Sequence, residues 1–175
     1  MRISEEPMFN AKKINNRVTS ISSKIDKDFY LEDMVIVCVL KGAFIFTSDL
    51  IRYINRVECS IDFVKISSYG SGTESSGNII LTKDMEIGIK DKNVLIVDDI
   101  LDTGASLSYL VDLLGSREPK TLRTCVLLDK PERRKYNIQA DYVGFEIENK
   151  FVIGYGLDYN EKYREFPGIY TLEEV

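Results

Sequence analysis

Residues 94–106 read Val-Leu-Ile-Val-Asp-Asp-Ile-Leu-Asp-Thr-Gly-Ala-Ser. Val94, Leu95, Ile96 and Val97 form a β-branched and aliphatic run, the pattern of a strand buried on both faces. The run stops abruptly on Asp98 and Asp99, and Asp102 follows before Thr103-Gly104-Ala105-Ser106 and a helical pattern. A buried strand thus delivers an acidic pair to its C-terminal tip and turns into a helix through small residues. Unpaired N–H groups and the dipole at a helix N-terminus favour an anion, a monophosphate here. Gly104 lets the backbone approach it, and Thr103 and Ser106 add hydroxyl donors. Carboxylates beside such a cradle point to metal-assisted chemistry on a phosphorylated sugar, because hard cations take carboxylate oxygen. The plainer reading is a helix cap on Asp102 or Thr103, which by itself does not call for Asp98 and Asp99.

Outward from this stretch, Met34 to Leu40 is another continuous apolar run, followed after Lys41-Gly42 by helical spacing through Phe44, Ile45, Leu50, Ile51 and Ile54. Residues 59–67 alternate like a half-buried strand. Strands follow at about 78–83 and 94–100, a helix at about 104–115 and a strand from Thr121 to Leu128. This alternation predicts an α/β fold, a mainly parallel twisted sheet with helices on both faces. Ile14, Val18, Ile21 and Ile25 recur at helical spacing within about 10–27, and 140–147 and 151–156 read as further strands. The chain is expected to be one domain, with a core at about 30–130 and a small cap from about 1–28 and 130–175. Residues 68–77, rich in Ser and Gly, read either as a long hairpin connection or as a lid that excludes water.

At 175 residues the chain is large enough for one well-buried core. A formal net charge of −5 disfavours extended nucleic-acid binding, which needs clustered Lys and Arg. No apolar run reaches the roughly 18–20 residues that span a bilayer, and the N-terminus lacks a signal-peptide core. Cys38, Cys59 and Cys125 sit in or beside apolar runs, as buried thiols do in a reducing compartment, so a cytoplasmic protein is expected. Histidine is absent, which removes histidine-based triads and imidazole zinc sites. Proton transfer near neutral pH must then use a carboxylate, Lys, Tyr, Cys or the substrate.

In an open α/β sheet ligands bind beyond the carboxyl ends of the strands. Three polar clusters fall there: Lys41-Gly42, Asp98-Asp99 with Asp102, and Asp129-Lys130. The segment 94–106 resembles the phosphoribosyl-pyrophosphate signature of type I phosphoribosyltransferases, in the form of their hypoxanthine-guanine branch. Val39-Leu40-Lys41-Gly42-Ala43 resembles the pyrophosphate loop of that branch, Ser68-Tyr69 the start of its lid, and Lys130 its purine-reading lysine. Asp141 to Ile147 and Phe151 to Glu161 are similar to its C-terminal block, so the likeness covers nearly the whole chain.

The resemblance implies the type I phosphoribosyltransferase fold and transfer of 5-phosphoribosyl from its 1-pyrophosphate to N9 of hypoxanthine or guanine, in purine salvage. It implies that Asp102 takes the proton near purine N7, and that Asp102, Thr103, Gly104, Ala105 and Ser106 hold the 5′-phosphate. Asp98 and Asp99 would bind ribose hydroxyls and Mg²⁺, and Asp158 a second Mg²⁺ near the purine. Lys41, Gly42 and Arg164 would face the pyrophosphate. Lys130 would donate to purine O6, Phe151 would stack on the ring, and the Val152 backbone would read its edge. A cis peptide at Leu40–Lys41 and a homodimer or homotetramer are also implied, with no nucleic-acid or membrane partner.

Plainer readings stand beside these. Phe151 fits a strand core, Lys130 a turn before Pro131, and Lys41 an ordinary strand-to-helix turn. Arg164 fits a surface pair with Glu161 or Glu165. A sensor that keeps the fold and binds nucleic acid is the competing function, yet the chain has no basic surface tract and retains Asp102. Asp98 departs from the Glu more usual in the branch, which draws its carboxylate back by roughly 1.5 Å.

Overall fold

The computed structural model describes residues 2–30, 32–55, 58–68 and 79–173. Six strands form the main sheet: β2 (Met34–Leu40), β3 (Cys59–Ser68), β4 (Ile79–Lys83), β5 (Asn93–Leu101), β6 (Thr121–Asp129) and β7 (Tyr142–Glu146), in the order β4-β3-β2-β5-β6-β7. All neighbours are parallel except β3 and β4. Helices α1 (Ala11–Asp28) and α2 (Phe44–Tyr53) cover one face and α3 (Ala105–Gly115) the other. The mainly parallel sheet with helices on both faces is as expected.

Strict alternation along the central strands separates the two cores. Ile36, Leu95, Val97, Cys125 and Leu127 pack with Ile14, Val18, Ile21, Ile25, Phe46 and Leu50. Val35, Val37, Val94, Ile96 and Val126 pack with Leu107, Leu110 and Leu114. Successive residues of a strand point to opposite faces, so a run apolar at every position builds both layers at once.

The alternation expected on β3 holds, and two differences from the sequence reading have physical causes. On β3 the buried residues are Asp62 and Val64, while Ile61 and Phe63 are each 39% exposed. The Asp62 carboxylate accepts from the N–H groups of Phe63, Glu86 and Ile87 at 2.6–2.7 Å, so the backbone turning from β4 towards β5 draws it inward. The strand expected at 151–156 shrinks to β8 (Val152–Ile153), because Gly154, Tyr155 and Gly156 all take positive φ. Helix α1 packs on α2 and β7 as part of the layer over the sheet rather than in the cap. The cap is a three-stranded sheet instead, β1 (Arg2–Ile3), β9 (Tyr170–Glu173) and β8, in the order β1-β9-β8.

Candidate active site

The chain leaves β2 through α2 towards β3 on one side and leaves β5 through α3 towards β6 on the other. The C-terminal ends of β2 and β5 therefore flank the point where the sheet's winding reverses, the crevice where α/β folds bind ligands. A cavity of about 300 Å³ opens there. Its walls hold Lys41 and Gly42 from the end of β2, and Asp98, Asp99, Asp102, Thr103, Gly104 and Ser106 from β5 and the turn after it. Asp158 and Arg164 reach it from the C-terminal segment. A larger crevice, about 460 Å³, lies at the opposite end of the strands, among Glu32, Asn93 and Lys120. There Glu32 already accepts from Lys120 at 2.7 Å and from Asn93 at 2.8 Å, leaving little unmet chemistry.

The turn from β5 into α3 is held from behind. The carbonyl of Leu101 accepts from Lys130 N–H (2.9 Å) and the Arg134 guanidinium (3.1 Å), and that of Asp102 from the same guanidinium. The carbonyl of Thr103 accepts from the N–H groups of Lys135 and Tyr136, at 2.9 and 3.1 Å. In a planar trans peptide the N–H points opposite to the C=O. Tethering three successive carbonyls on one side therefore turns the N–H groups of Asp102, Thr103 and Gly104 to the other. Gly104 is the helix N-cap with φ +91°, a left-handed conformation suited to glycine, and no side chain caps the helix there. Neither Asp102 nor Thr103 is the N-cap residue itself. Thr103 Oγ1 lies 3.4 Å from the N–H of Ala105, the first helical residue.

Asp98 and Asp99, adjacent on a strand, are expected to point to opposite faces. The structure instead brings the two carboxylates together: Asp98 Oδ1 accepts from Asp99 N–H at 2.9 Å, and the side chains also interact. Burial first, and then the neighbouring charge of Asp99, hold Asp98 well above the usual carboxylate range. Asp99 is raised by burial as well, against an opposing pull that includes the Arg164 guanidinium. A side chain at position 42 would collide with Asp99 Oδ2, so only glycine lets the β2 loop lie against this carboxylate. The peptide Leu40–Lys41 is cis, as the resemblance implies.

The cations of the site are tied to one another through an acid. Glu161 Oε2 sits 2.9 Å from Lys41 Nζ and 3.0 Å from the Arg164 guanidinium. Hydrogen bonds from Lys41 and then Arg164 hold the Glu161 carboxyl below its ordinary range. Arg164 also pairs with Asp158 at 2.9 Å and donates to the Gly156 carbonyl at 2.8 Å. The surface pair expected of Arg164 thus exists with Glu161, but it extends into the cavity wall and reaches Lys41.

Lys130 is 7% exposed, too buried for a turn lysine in water. Burial pushes its ammonium below the ordinary lysine range, while the charge of Asp102 opposes that shift. Phe151 is 51% exposed and not a core residue. It precedes β8 and meets Tyr159 edge to face, with centroids 5.8 Å apart. Val152 is buried at the start of β8. Phe151, Val152 and Lys130 lie outside the lining of the 300 Å³ cavity, so the predicted site residues are not all brought into one cavity. Ser68 closes β3, its backbone opposite Ile79, while Tyr69 and the rest of the expected lid fall outside the described residues.

Sequence reasoning missed Arg133 and Arg134. Arg133 Nε donates to Asp102 Oδ1 at 2.6 Å, and Arg134 pairs with Asp129 besides its carbonyl contacts. The signal was two arginines just beyond Lys130-Pro131 at a strand tip. Glu161 was visible as a partner for Arg164 but not for Lys41, which lies 120 residues away.

Among the described residues no three acidic, Cys or His side chains converge as a ready-made metal cage. Asp98, buried, and Asp99, partly buried, form an acidic pair, whereas Asp158 is paired with Arg164. Two adjacent carboxylates fit Mg²⁺, which is held through one or two carboxylates and takes its remaining oxygens from water and substrate phosphates.

Comparisons with known proteins agree with this geometry. The Phosphoribosyl transferase domain family matches residues 8–160. A hypoxanthine-guanine phosphoribosyltransferase of Aquifex aeolicus is 46% identical over 92% of this chain and 90% of its own length. The crystal structure of such an enzyme from Bacillus anthracis superposes with a TM-score of 0.93 at 42% identity, covering 98% of this chain and all of that one. A Trypanosoma cruzi hypoxanthine phosphoribosyl transferase, studied for the role of its C-terminal region in oligomeric state and activity, gives 0.91 at 39% identity, covering 99% of this chain and 93% of its own. With the sheet's winding, the phosphate turn and these likenesses in agreement, the chain belongs to the phosphoribosyl transferase family, in its hypoxanthine-guanine phosphoribosyltransferase branch.

Proposed function

We propose that the chain transfers 5-phosphoribosyl from its 1-pyrophosphate to N9 of hypoxanthine or guanine, giving the nucleoside monophosphate and pyrophosphate in purine salvage. The observation that carries this reading is one cavity that gathers a phosphate-type helix N-terminus, an acidic pair and two cations, with a buried lysine beside Asp102. The N–H groups of residues 102–106 and the hydroxyls of Thr103 and Ser106 hold the 5′-phosphate. Asp98 and Asp99 accept from the ribose hydroxyls and hold Mg²⁺, and Asp158 holds a second ion. Bound Mg²⁺ supplies charge neutralisation on the pyrophosphate. Lys41 and Arg164 face the same leaving group, which requires Glu161 to give them up.

As the C1–O bond to pyrophosphate breaks, the ribose carbon gains oxocarbenium character and N9 forms the new bond. Asp102 takes the proton at N7. Lys130 donates to O6, a contact that the amino group of adenine cannot accept. Phe151 stacks on the ring and the Val152 backbone reads its edge. The chain acts as one domain and as a homo-oligomer. Its exposed Ile61 and Phe63, on one face of β3, and Phe44 at the start of α2 supply apolar surface for a second copy.

A steady-state assay with phosphoribosyl pyrophosphate, Mg²⁺ and each of hypoxanthine, guanine, xanthine and adenine tests the reading. Turnover of 6-oxopurines without adenine is expected. Folded protein that binds the sugar donor and turns over no base would instead be a sensor. Asp102→Asn should lower turnover by about 10²–10⁴-fold, the usual contribution of a general base.

A further inference from the structure

Asp102 stands in the irregular turn after β5, and two cations act on its carboxylate. Lys130 is one, buried and shifted downward by its loss of water. Arg133 is the other, with Nε 2.6 Å from Asp102 Oδ1 and a terminal nitrogen 3.5 Å from Asn149 Oδ1. Both come from the single turn that follows β6, a 3-10 segment over Pro131–Arg133 in which Arg133 N–H donates to the Lys130 carbonyl at 3.1 Å. The same turn is fastened to the far side of the phosphate loop by Lys130 N–H and Arg134.

We propose that Arg133 is a positioning residue for the reaction: its guanidinium holds Asp102 Oδ1 so that Oδ2 faces the purine and Asp102 does not collapse onto Lys130. This rests on the reading that Asp102 accepts the purine proton. The physical case is the spacing along the turn. An ammonium is a compact point charge, and left alone with a neighbouring carboxylate it forms a direct pair that removes both groups from the base. A guanidinium is a planar donor of fixed geometry, so its Nε–H bond to Oδ1 restricts the turning of the carboxylate and leaves Oδ2 outside the pair. One short turn therefore sets the distance between the group that reads the base and the group that takes its proton. Arg134, bound to the carbonyls of Leu101 and Asp102, holds the phosphate side separately.

The test is single-turnover formation of inosine monophosphate by Arg133→Ala, Arg133→Lys, Asp102→Asn and the unaltered protein, with KM measured for each substrate. Arg133→Ala should slow the chemical step by about 10–10²-fold, the cost of a small misplacement of a reacting group. Its KM for hypoxanthine should rise while that for phosphoribosyl pyrophosphate stays level. Added guanidinium ion, and in part Arg133→Lys, should restore the rate. Normal turnover by Arg133→Ala alongside a defective Asp102→Asn overturns the proposal and leaves the role of Asp102 intact. Normal turnover by Asp102→Asn removes that role and the proposal with it. A slow Arg133→Ala that neither guanidinium nor lysine rescues, or one with both KM values raised, marks a role in folding the turn and also overturns it. If Arg133→Ala does not fold, Arg133→Met, which keeps the aliphatic stem and drops the guanidinium, is put through the same comparison.

Discussion

Lys130 has paid for its position with hydration, and a buried ammonium of this kind is useful only if a fixed acceptor meets it. Purine O6 is such an acceptor in the proposed reading. Lys130→Ala should then weaken hypoxanthine binding by about 10–10²-fold, the worth of a charged hydrogen bond, and raise the kcat/KM ratio of adenine to hypoxanthine. Steady-state kinetics with both bases checks this, and an unaltered ratio would mean that Lys130 does not read the base. At this scale the sequence was a partial guide. It offered Lys130 as reader or turn residue and Phe151 as stacking platform or core, and only burial and exposure separate these. Lys130 is buried against its type and Phe151 is exposed against its type. The closeness of Asp98 and Asp99 was not legible, because strand alternation sends neighbours to opposite faces and the geometry at the strand's tip brings them together.

At the scale of elements, β2 and β5 lie side by side and their terminal loops must share a small space. Gly42→Ala would drive a methyl group into the Asp99 carboxylate. We expect at least about tenfold weaker binding of the sugar donor and a stability loss of about 1–3 kcal/mol, the range for overpacking. Calorimetric titration and thermal unfolding read these two effects separately. On β3, the Asp62 carboxylate is penalised by burial, but three backbone N–H groups and Lys83 outweigh that, and its pKa falls below the ordinary value. A lowered folded-state pKa means that the unfolded chain binds more protons, so this stability is present above about pH 4 and lost as pH falls through the folded-state value. Asp62→Asn should cost about 1–3 kcal/mol at neutral pH, and the gap from the unaltered protein should narrow in acid. Urea unfolding at both pH values measures it; a gap independent of pH would show that the charge contributes nothing. The strand itself was legible from its residues. Its facing was not, since Ile61 and Phe63 are apolar yet exposed while the charged Asp62 is buried.

Across the whole molecule, the two ends of the chain meet. Arg2 pairs with Glu173 and Ile3 with Leu172, while β9 on its other side pairs with β8, the strand that begins at Val152. The ring-side residues Phe151 and Val152 thus hang from a sheet whose outer strand is the N-terminus. Removing residues 1–5 should raise KM for hypoxanthine and leave that for phosphoribosyl pyrophosphate unchanged, because the cavity proposed for the donor is walled by β2, β5 and the C-terminal loop. Equal shifts in both constants would mean that the cap does not act on the purine alone. None of the helices in the described residues is long and apolar enough to cross a membrane.

The sequence by itself determined the buried strands, the acidic tip of β5, the phosphate turn and the family, because each is written in residues adjacent along the chain and follows from local periodicity. Tertiary structure alone decided which charge meets which. Glu161 reaches Lys41 across 120 residues, Arg133 reaches Asp102 across 31, and the acid that enters the core at β3 is chosen by N–H groups more than 20 residues away. Such pairings depend on where the sheet's winding sets the strand ends, and periodicity carries no record of distance between segments.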